Sequence, residues 1–457
     1  MKTPLFVSLV LASILGMVGA VTGASIAHAN GCISPAAGTT EDPFLIQNES
    51  NLECLHSNSD YYWTHGYHFK QTANLDMANY ASWPSGIGTQ AKPFDGVFDG
   101  AGFNILGLSF TGNTSAQGLF GMTDPGSHIN DTHVLGATMS ISGADDFQFA
   151  GLLVGLSLGS ISHSSATGTI TILASSSAAS IGGLVGGSQL GTISHSSADV
   201  SINLPGTSDV SEVGGFIGTA YNTSIFEVQS AGSIVTSGVH AGVSDLGGIV
   251  GNLEEASLRN AWSSSRIESQ GSYIARYFGS IVGKSSTASI SNVYSVGTVS
   301  ISSTNGGEIK GAMIGRVAND TELSNSFWNT DSLGSQITAV GFIEFGLLTQ
   351  VSSQGVTSTE LRKYTTFGTT QFLTTPWSIA NGTVVAPSTV WGICNTSSFP
   401  FLTALSSSSM CPSPEPVVPQ LAETGFRQGE LVRGSTLLVL VGALLVYSSR
   451  RVEVPRN

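Results

Sequence analysis

A short phrase of glycine, apolar residues and glycine returns about every 32 residues through the middle of this chain. Its copies are Gly118-Leu-Phe-Gly121, Gly151-Leu-Leu-Val-Gly155, Gly182-Gly-Leu-Val-Gly186, Gly214-Gly-Phe-Ile-Gly218, Gly247-Gly-Ile-Val-Gly251, Gly279-Ser-Ile-Val-Gly283 and Gly311-Ala-Met-Ile-Gly315. Self-similarity at a fixed period of this length indicates stacked repeats, because one repeat cannot bury its apolar face alone and must lean on its neighbours. The functional question then moves from a single pocket to a long displayed surface.

A second landmark follows each phrase. Ile161-Ser-His-Ser-Ser165, Ile193-Ser-His-Ser-Ser197, Ile225-Phe-Glu-Val-Gln229, Leu258-Arg-Asn-Ala-Trp262, Ile290-Ser-Asn-Val-Tyr294 and Leu323-Ser-Asn-Ser-Phe327 align at one offset. Further on, apolar positions recur at Ile170, Ile202, Ile234, Ile267 and Val299. The parity of the apolar set changes between these two strands, and strand side chains alternate with period two, so a bend must separate them. Each repeat reads as one coil of two or three short strands, with apolar residues inward and Gly or Ser at the corners. The predicted fold is all-β: a parallel β-solenoid of about seven coils over 116–328, with a lead-in and capping region at 30–115 and a closing region at 329–411. Coils stacked at about 4.8 Å turn every aligned position into a ladder, and seven of them stand ~30 Å tall. The series decays after Phe327, as a terminal repeat should. Within the lead-in, Glu49 to His56 reads as a short helix, and Phe94-Asp-Gly-Val-Phe-Asp-Gly100 and Phe103–Phe110 alternate as strands do.

The ends carry targeting signals rather than fold. Lys2, an apolar run from Leu5 to Val21 and Ala27-His28-Ala29 form a secretory signal peptide over 1–29, with cleavage expected between Ala29 and Asn30. At the other end a Pro-rich linker, 412–420, reaches about 25 Å. Leu421-Ala422-Glu423-Thr424-Gly425 follows, then an apolar tail at 435–448 and Arg450-Arg451. The tail's apolar core, Leu437–Tyr447, is about 11 residues long, short of the ~20 that span a bilayer, so it can only pause there. The trailing arginines fit the cytoplasmic side.

A net charge of −14, with only 10% charged residues, argues against nucleic acid, whose phosphates need clustered Lys and Arg. The four cysteines, Cys32, Cys54, Cys394 and Cys411, lie outside the repeats. An exported chain is free to oxidise them, and the pairing preferred among three is local, Cys32 with Cys54 and Cys394 with Cys411. With no CxxC or Cys/His cluster, no metal and no cofactor is expected.

Two resemblances become specific at this point. The region 421–457 resembles the cell-wall sorting signal of Gram-positive sortase substrates, with Ala422 where the common motif has proline. That implies cleavage between Thr424 and Gly425 by a sortase transpeptidase, transient membrane contact by the tail, and attachment of Thr424 to a peptidoglycan amine in the cell wall. The repeat phrase with its Ile-x-Asn-x-aromatic partner resembles the GLUG repeat of secreted bacterial surface proteins. Thr40–Ile46 and Phe98–Ile105 resemble the segment that precedes such repeats, and Val390–Ile393 with Phe399–Leu402 their usual end. His163, His195 and Glu227 depart from the family's asparagine. The family implies an exported β-solenoid, often adhesin-like, and no fixed chemistry.

Candidate chemistry is therefore weighed against what the stack itself needs. Gly155-Leu-Ser157-Leu-Gly159 matches a nucleophile elbow but lacks the helical period that must follow one. His163, His195 and Glu227, continued by Asn260, Asn292 and Asn325, form one column; it reads as a polar ladder at a bend rather than a metal site. Trp262, Tyr294 and Phe327 share strand parity with buried positions and read as a buried stack rather than a sugar platform. The acidic doublets Asp145-Asp146 and Glu254-Glu255 lie at expected corners, several coils apart, and read as solvated turns. The expectation is a wall-anchored, non-enzymatic surface protein, adhesive or structural, whose solenoid face binds a host or neighbour-cell glycan or protein. The alternatives are a secreted polysaccharide lyase or hydrolase on a parallel β-helix and a wall-embedded scaffold, the latter suggested by the short linker.

Overall fold

The computed structural model describes residues 32–405, apart from 113, 145–147, 206–207, 238, 271, 303–306 and 383–388. The signal peptide, Cys411, the linker, the Leu421–Gly425 pentapeptide, the apolar tail and Asp145-Asp146 lie outside the described residues.

The fold is an all-β parallel solenoid, as the repeat predicts. Seven Gly phrases each open a strand of one eight-stranded parallel sheet; the eighth strand is Val340–Ile343. A coil is well represented by its fourth turn. Ile217–Tyr221 lies in the eight-stranded sheet, Ser224–Ser237 forms the next two sides, and Val239–Gly247 returns to the following phrase. Register is held along the stack: Ile217 pairs with Val250, Ile225 with Leu258 and Ile234 with Ile267. These ladder positions are fully buried, as are Ile290 and Leu323 further on. The strands beyond the first corner run longer than the short segments expected; Ser165–Gly182 spans 18 residues. The ladder skips the corner pair His195 and Glu227 and resumes in the same register, so one strand covers two sides.

The phrase itself is explained by how tightly the return strand folds over the eight-stranded sheet. A Cβ on its first glycine, Gly182, Gly214, Gly247, Gly279 or Gly311, would run into the carbonyl oxygen of the residue three further on. A Cβ on its last glycine would meet the same glycine of the previous coil, as Gly251 would meet the Gly218 oxygen at 2.6 Å. The position after the first glycine is held less strictly and drifts from Gly248 to Ser280 and Ala312.

Parallel stacking also continues on either side of the repeats. The lead-in region is part of the stack, since Phe44, Phe69, Phe98 and Ile129 follow one another in parallel register. Its counterpart of the phrase is shortened to Gly86-Ile87-Gly88, with Ile87 bridged to Phe120. At the other end, stacking continues past 328, where Leu348–Val351 and Gln354–Val356 pair with Thr321–Ser324 and Phe327–Asn329. The expected helix is present as Glu49–Ser57, with the Asn48 side chain accepting from the Asn51 N–H at 3.0 Å. The Cys32–Cys54 disulfide joins that helix to the start of the described chain. Cys394 is buried, while its expected partner Cys411 is outside the described residues. The closing region packs a second apolar cluster, including Phe367, Trp377 and Trp391, over Tyr294 and Phe327.

Candidate functional site

The polar column is a structural corner. His163, His195, Glu227, Asn260, Asn292 and Asn325 all have positive φ, between 48° and 56°. This is the left-handed region, in which asparagine is enriched and branched residues are strained, so the bend inferred from the parity change is made by these residues. They also stack. The His163 and His195 rings lie 4.6 Å apart and nearly parallel, His195 Nε2 is 3.3 Å from a Glu227 carboxylate oxygen, and Asn292 Nδ2 donates to Asn260 Oδ1 at 3.2 Å. Burial holds His195 below its ordinary value, with Glu227 pulling the other way and His163 and Arg259 adding to the depression. No group of three or more metal-ligating side chains occurs among the described residues. Asn292→Val should cost about 1–2 kcal/mol, whereas Asn292→Gly should stay within about 1 kcal/mol of the parent. Urea unfolding of the two variants checks this, and equal losses would count against the backbone explanation.

Three other candidates are placed within the structure. Ser157 is buried within Val154–Ser157; its hydroxyl donates to the Gly159 carbonyl at 3.3 Å and accepts from Thr123 at 3.4 Å. A buried hydroxyl so engaged is no exposed nucleophile. Tyr294 stacks on Trp262 at 5.7 Å, is fully buried and donates to the Pro400 carbonyl at 2.5 Å, so the aromatic column serves the cap. Glu254 accepts from Asn252 Nδ2 at 3.4 Å, and Glu255 is exposed at a corner with φ 49°.

The richest chemistry lies beside the Gly phrase, where the sequence reading did not look. The residue two before the first glycine of one coil meets the residue just after the last glycine of the next. Ser180 donates to Thr219 at 2.9 Å, and the Arg316 guanidinium sits over the Tyr277 ring at 4.8 Å. In the same frame Glu212 stands beside Gly251-Asn252, and Asp245 beside Gly283-Lys284. Arg316 also reaches down to Asp245, donating to both carboxylate oxygens at 2.9 and 2.8 Å, and pairs with Glu344 at 2.8 Å. Burial pushes Asp245 upward, opposed by Arg316 and Lys284. Burial, reinforced by Asp245 and only partly offset by Lys284 and Arg316, pushes Glu212 up to about 7. The buried Asn252 Oδ1 accepts no hydrogen bond. A signal existed in the sequence. The phrase repeats faithfully while its flanks change from Ser180 to Glu212, Asp245 and Tyr277.

On the opposite side of the eight-stranded sheet's strands, at the corner between Tyr221 and Ser224 and its equivalents, the stack carries an open groove of about 650 Å³. Its floor is Thr223, Ala256, Ala288 and Thr321, and its rims carry Asn222, Glu255, Thr287 and Asp320 on one side and Ser224, Ser257, Ser289 and Glu322 on the other. The corner residues Asn222, Glu255 and Thr287 again have positive φ. A hydrogen bond to Glu255 pushes the Tyr221 hydroxyl up, tying it to the rim. The described lining holds three carboxylates and no Lys or Arg.

No protein-family model matches the chain. It is 34% identical over 135 residues to halomucin of Haloquadratum walsbyi, covering 29% of this chain and 1% of that protein. It is 29% identical over 133 residues to a provisionally named Gly-rich membrane protein of Evansella cellulosilytica, covering 28% of this chain and 14% of the relative. The matched segment thus spans only a small part of either relative. Among solved structures, a provisionally named immunoglobulin A1 protease from Bacteroides ovatus aligns at TM-score 0.46 and 19% identity, over 63% of this chain and 86% of that one. No helix among the described residues is long and apolar enough to cross a membrane.

Proposed function

We propose that this chain is a cell-wall-anchored surface protein whose GLUG-type solenoid binds a glycan or protein, rather than an enzyme. The observation that carries the reading is the open groove along the stack, ligand-sized at about 650 Å³ and walled by Ser, Thr, Asn and carboxylates. Sites that bind polar chains present convergent hydrogen-bonding groups on a preformed surface, and a solenoid supplies these once per coil. The names of the two relatives, a halomucin and a membrane protein, sit comfortably with display outside the cell. A screen of the purified full chain against glycans and matrix proteins tests the proposal. Stable binding supports it; polysaccharide turnover without stable binding sinks it.

Anchoring has its own test. Thr424→Ala removes the residue that the sorting signal would join to peptidoglycan. The variant should disappear from the covalent wall fraction and move to the membrane and medium. If it stays in the wall, the sortase reading is wrong.

The enzyme reading keeps one favourable observation, Glu212 held near 7 beside Asp245. A carboxyl group that shares its proton near neutrality suits general acid chemistry on a glycosidic bond. New reducing or unsaturated ends released from a polysaccharide panel, and lost in Glu212→Gln, would decide for it.

A further inference from the structure

We infer that the corner groove takes an extended, amine-bearing glycan laid parallel to the stack axis; this inference rests on the adhesive reading above and names its ligand class. The groove's levels, Gly191, Asn222, Glu255, Thr287, Asp320 and Leu347, come from six successive coils. At the spacing between paired strands that makes a trough about 24 Å long. Ser224, Ser257 and Ser289 follow one another in strict register, so three successive coils each offer one hydroxyl before Glu322 takes the position. A periodic row of hydroxyls is matched by a polymer that presents polar groups at a similar repeat, and a chain of sugar rings does so. A compact ligand would use one or two levels and leave the rest solvated.

Charge then selects among such chains. Three carboxylates face the trough from both rims, and its described lining has no base to balance them. An acidic polysaccharide would be repelled at the two coils that carry them, while ammonium groups would be drawn in there, more strongly at low salt. The floor decides against a peptide. Ala256 and Ala288 leave the trough shallow, and the lining offers no apolar pocket in which a side chain could anchor. Leu347, at the trough's end, is the lining's one large apolar residue.

Calorimetric titration of the purified full chain with four probes tests the inference: a β-1,4-glucosamine hexamer, its N-acetylated form, an oligogalacturonate and an oligolysine. The glucosamine hexamer should bind, the N-acetylated hexamer at least about tenfold more weakly, and the oligogalacturonate not at all. Glu255→Gln with Glu322→Gln should weaken the glucosamine hexamer by about tenfold or more. Ser257→Arg with Ser289→Arg, which fills and recharges the trough, should abolish its binding. Glu255, Glu322 and Ser289 are exposed and Ser257 is half-buried, and an unaltered melting curve confirms an intact fold. Preference for oligogalacturonate or oligolysine, or hexamer binding unaffected by both pairs, overturns the inference and leaves the adhesive reading standing. A chain that binds nothing in the broader screen brings down the adhesive reading itself.

Discussion

Gly247→Ala should be among the most damaging single substitutions in this protein, costing roughly 3 kcal/mol or more for the addition of one methyl group. The methyl would point into the Val250 carbonyl and towards the Gly283 N–H of the next coil, which lies at 2.6 Å. Both are backbone groups held in ladders, so neither can swing aside as the end of a flexible side chain would. The φ of Gly247 is not in the left-handed region, which makes close approach the whole cause and strain of the torsion no part of it. Gly126→Ala serves as the control, because nothing lies within 4 Å of the added atom. Chemical unfolding and protease resistance should separate the two sharply. Equal stability would mean that the return strand does not sit where the structure puts it. In a stack whose coils touch only their neighbours, the damage should also spread from the middle outward.

Glu212→Gln should stabilise the protein, and only at higher pH. The native state holds this carboxyl up to about 7, against an ordinary 4.5, through burial and the neighbouring Asp245. The folded state therefore binds the proton more tightly than the unfolded chain does. Stability is highest below the unfolded value, falls as pH rises between the two, and levels off above 7. The loss amounts to about 3 kcal/mol at most. An uncharged amide escapes it, so at pH 8 the variant should gain up to that amount, and at pH 4 it should match the parent. Urea titrations at the two pH values read the difference directly. A gain of the same size at both would assign the effect to packing instead. The same crevice explains the sign, for Lys284 and Arg316 lower Glu212 but Arg316 is already spoken for by Asp245.

Much of the architecture was legible because a solenoid writes its geometry one coil at a time. The Gly phrase fixed the period, and the parity change between Ile225 and Ile234 located a bend that Glu227 and its column do make with positive φ. Of the asparagines read as a ladder, Asn292 does bond to Asn260, whereas Asn325 shares the torsion but its buried Oδ1 accepts no hydrogen bond. The lead-in, read as a capping region, is harder to divide into coils. Phe44, Phe69 and Phe98 stack as later coils do, but the tightly packed glycines that precede the first full phrase stand in a shortened Gly86-Ile87-Gly88, next to the bridge from Ile87 to Phe120. The coil that ends the stack, Val340–Val356, was missed because it keeps the ladder and loses the phrase.

The candidate sites divide along the same line. By itself the sequence determined the repeat, its inward columns and the helix at Glu49, and it favoured the local Cys32–Cys54 pairing that the structure holds, since each depends on residues near one another or on a period that carries them into register. It could equally set aside Ser157, whose surroundings in the chain were wrong for an elbow. Only the tertiary structure decided which positions flanking the phrase and lining the corner meet. Glu212 and Asn252 lie forty residues apart in the chain yet stand side by side, because the return strand of one coil packs on the sheet strand of the next. Glu255, Thr287 and Asp320 become one rim for a related reason: a corner that repeats at every level makes a groove no single coil contains. The period says what each coil is, and the stagger between a coil and its neighbour says which side chains share a site.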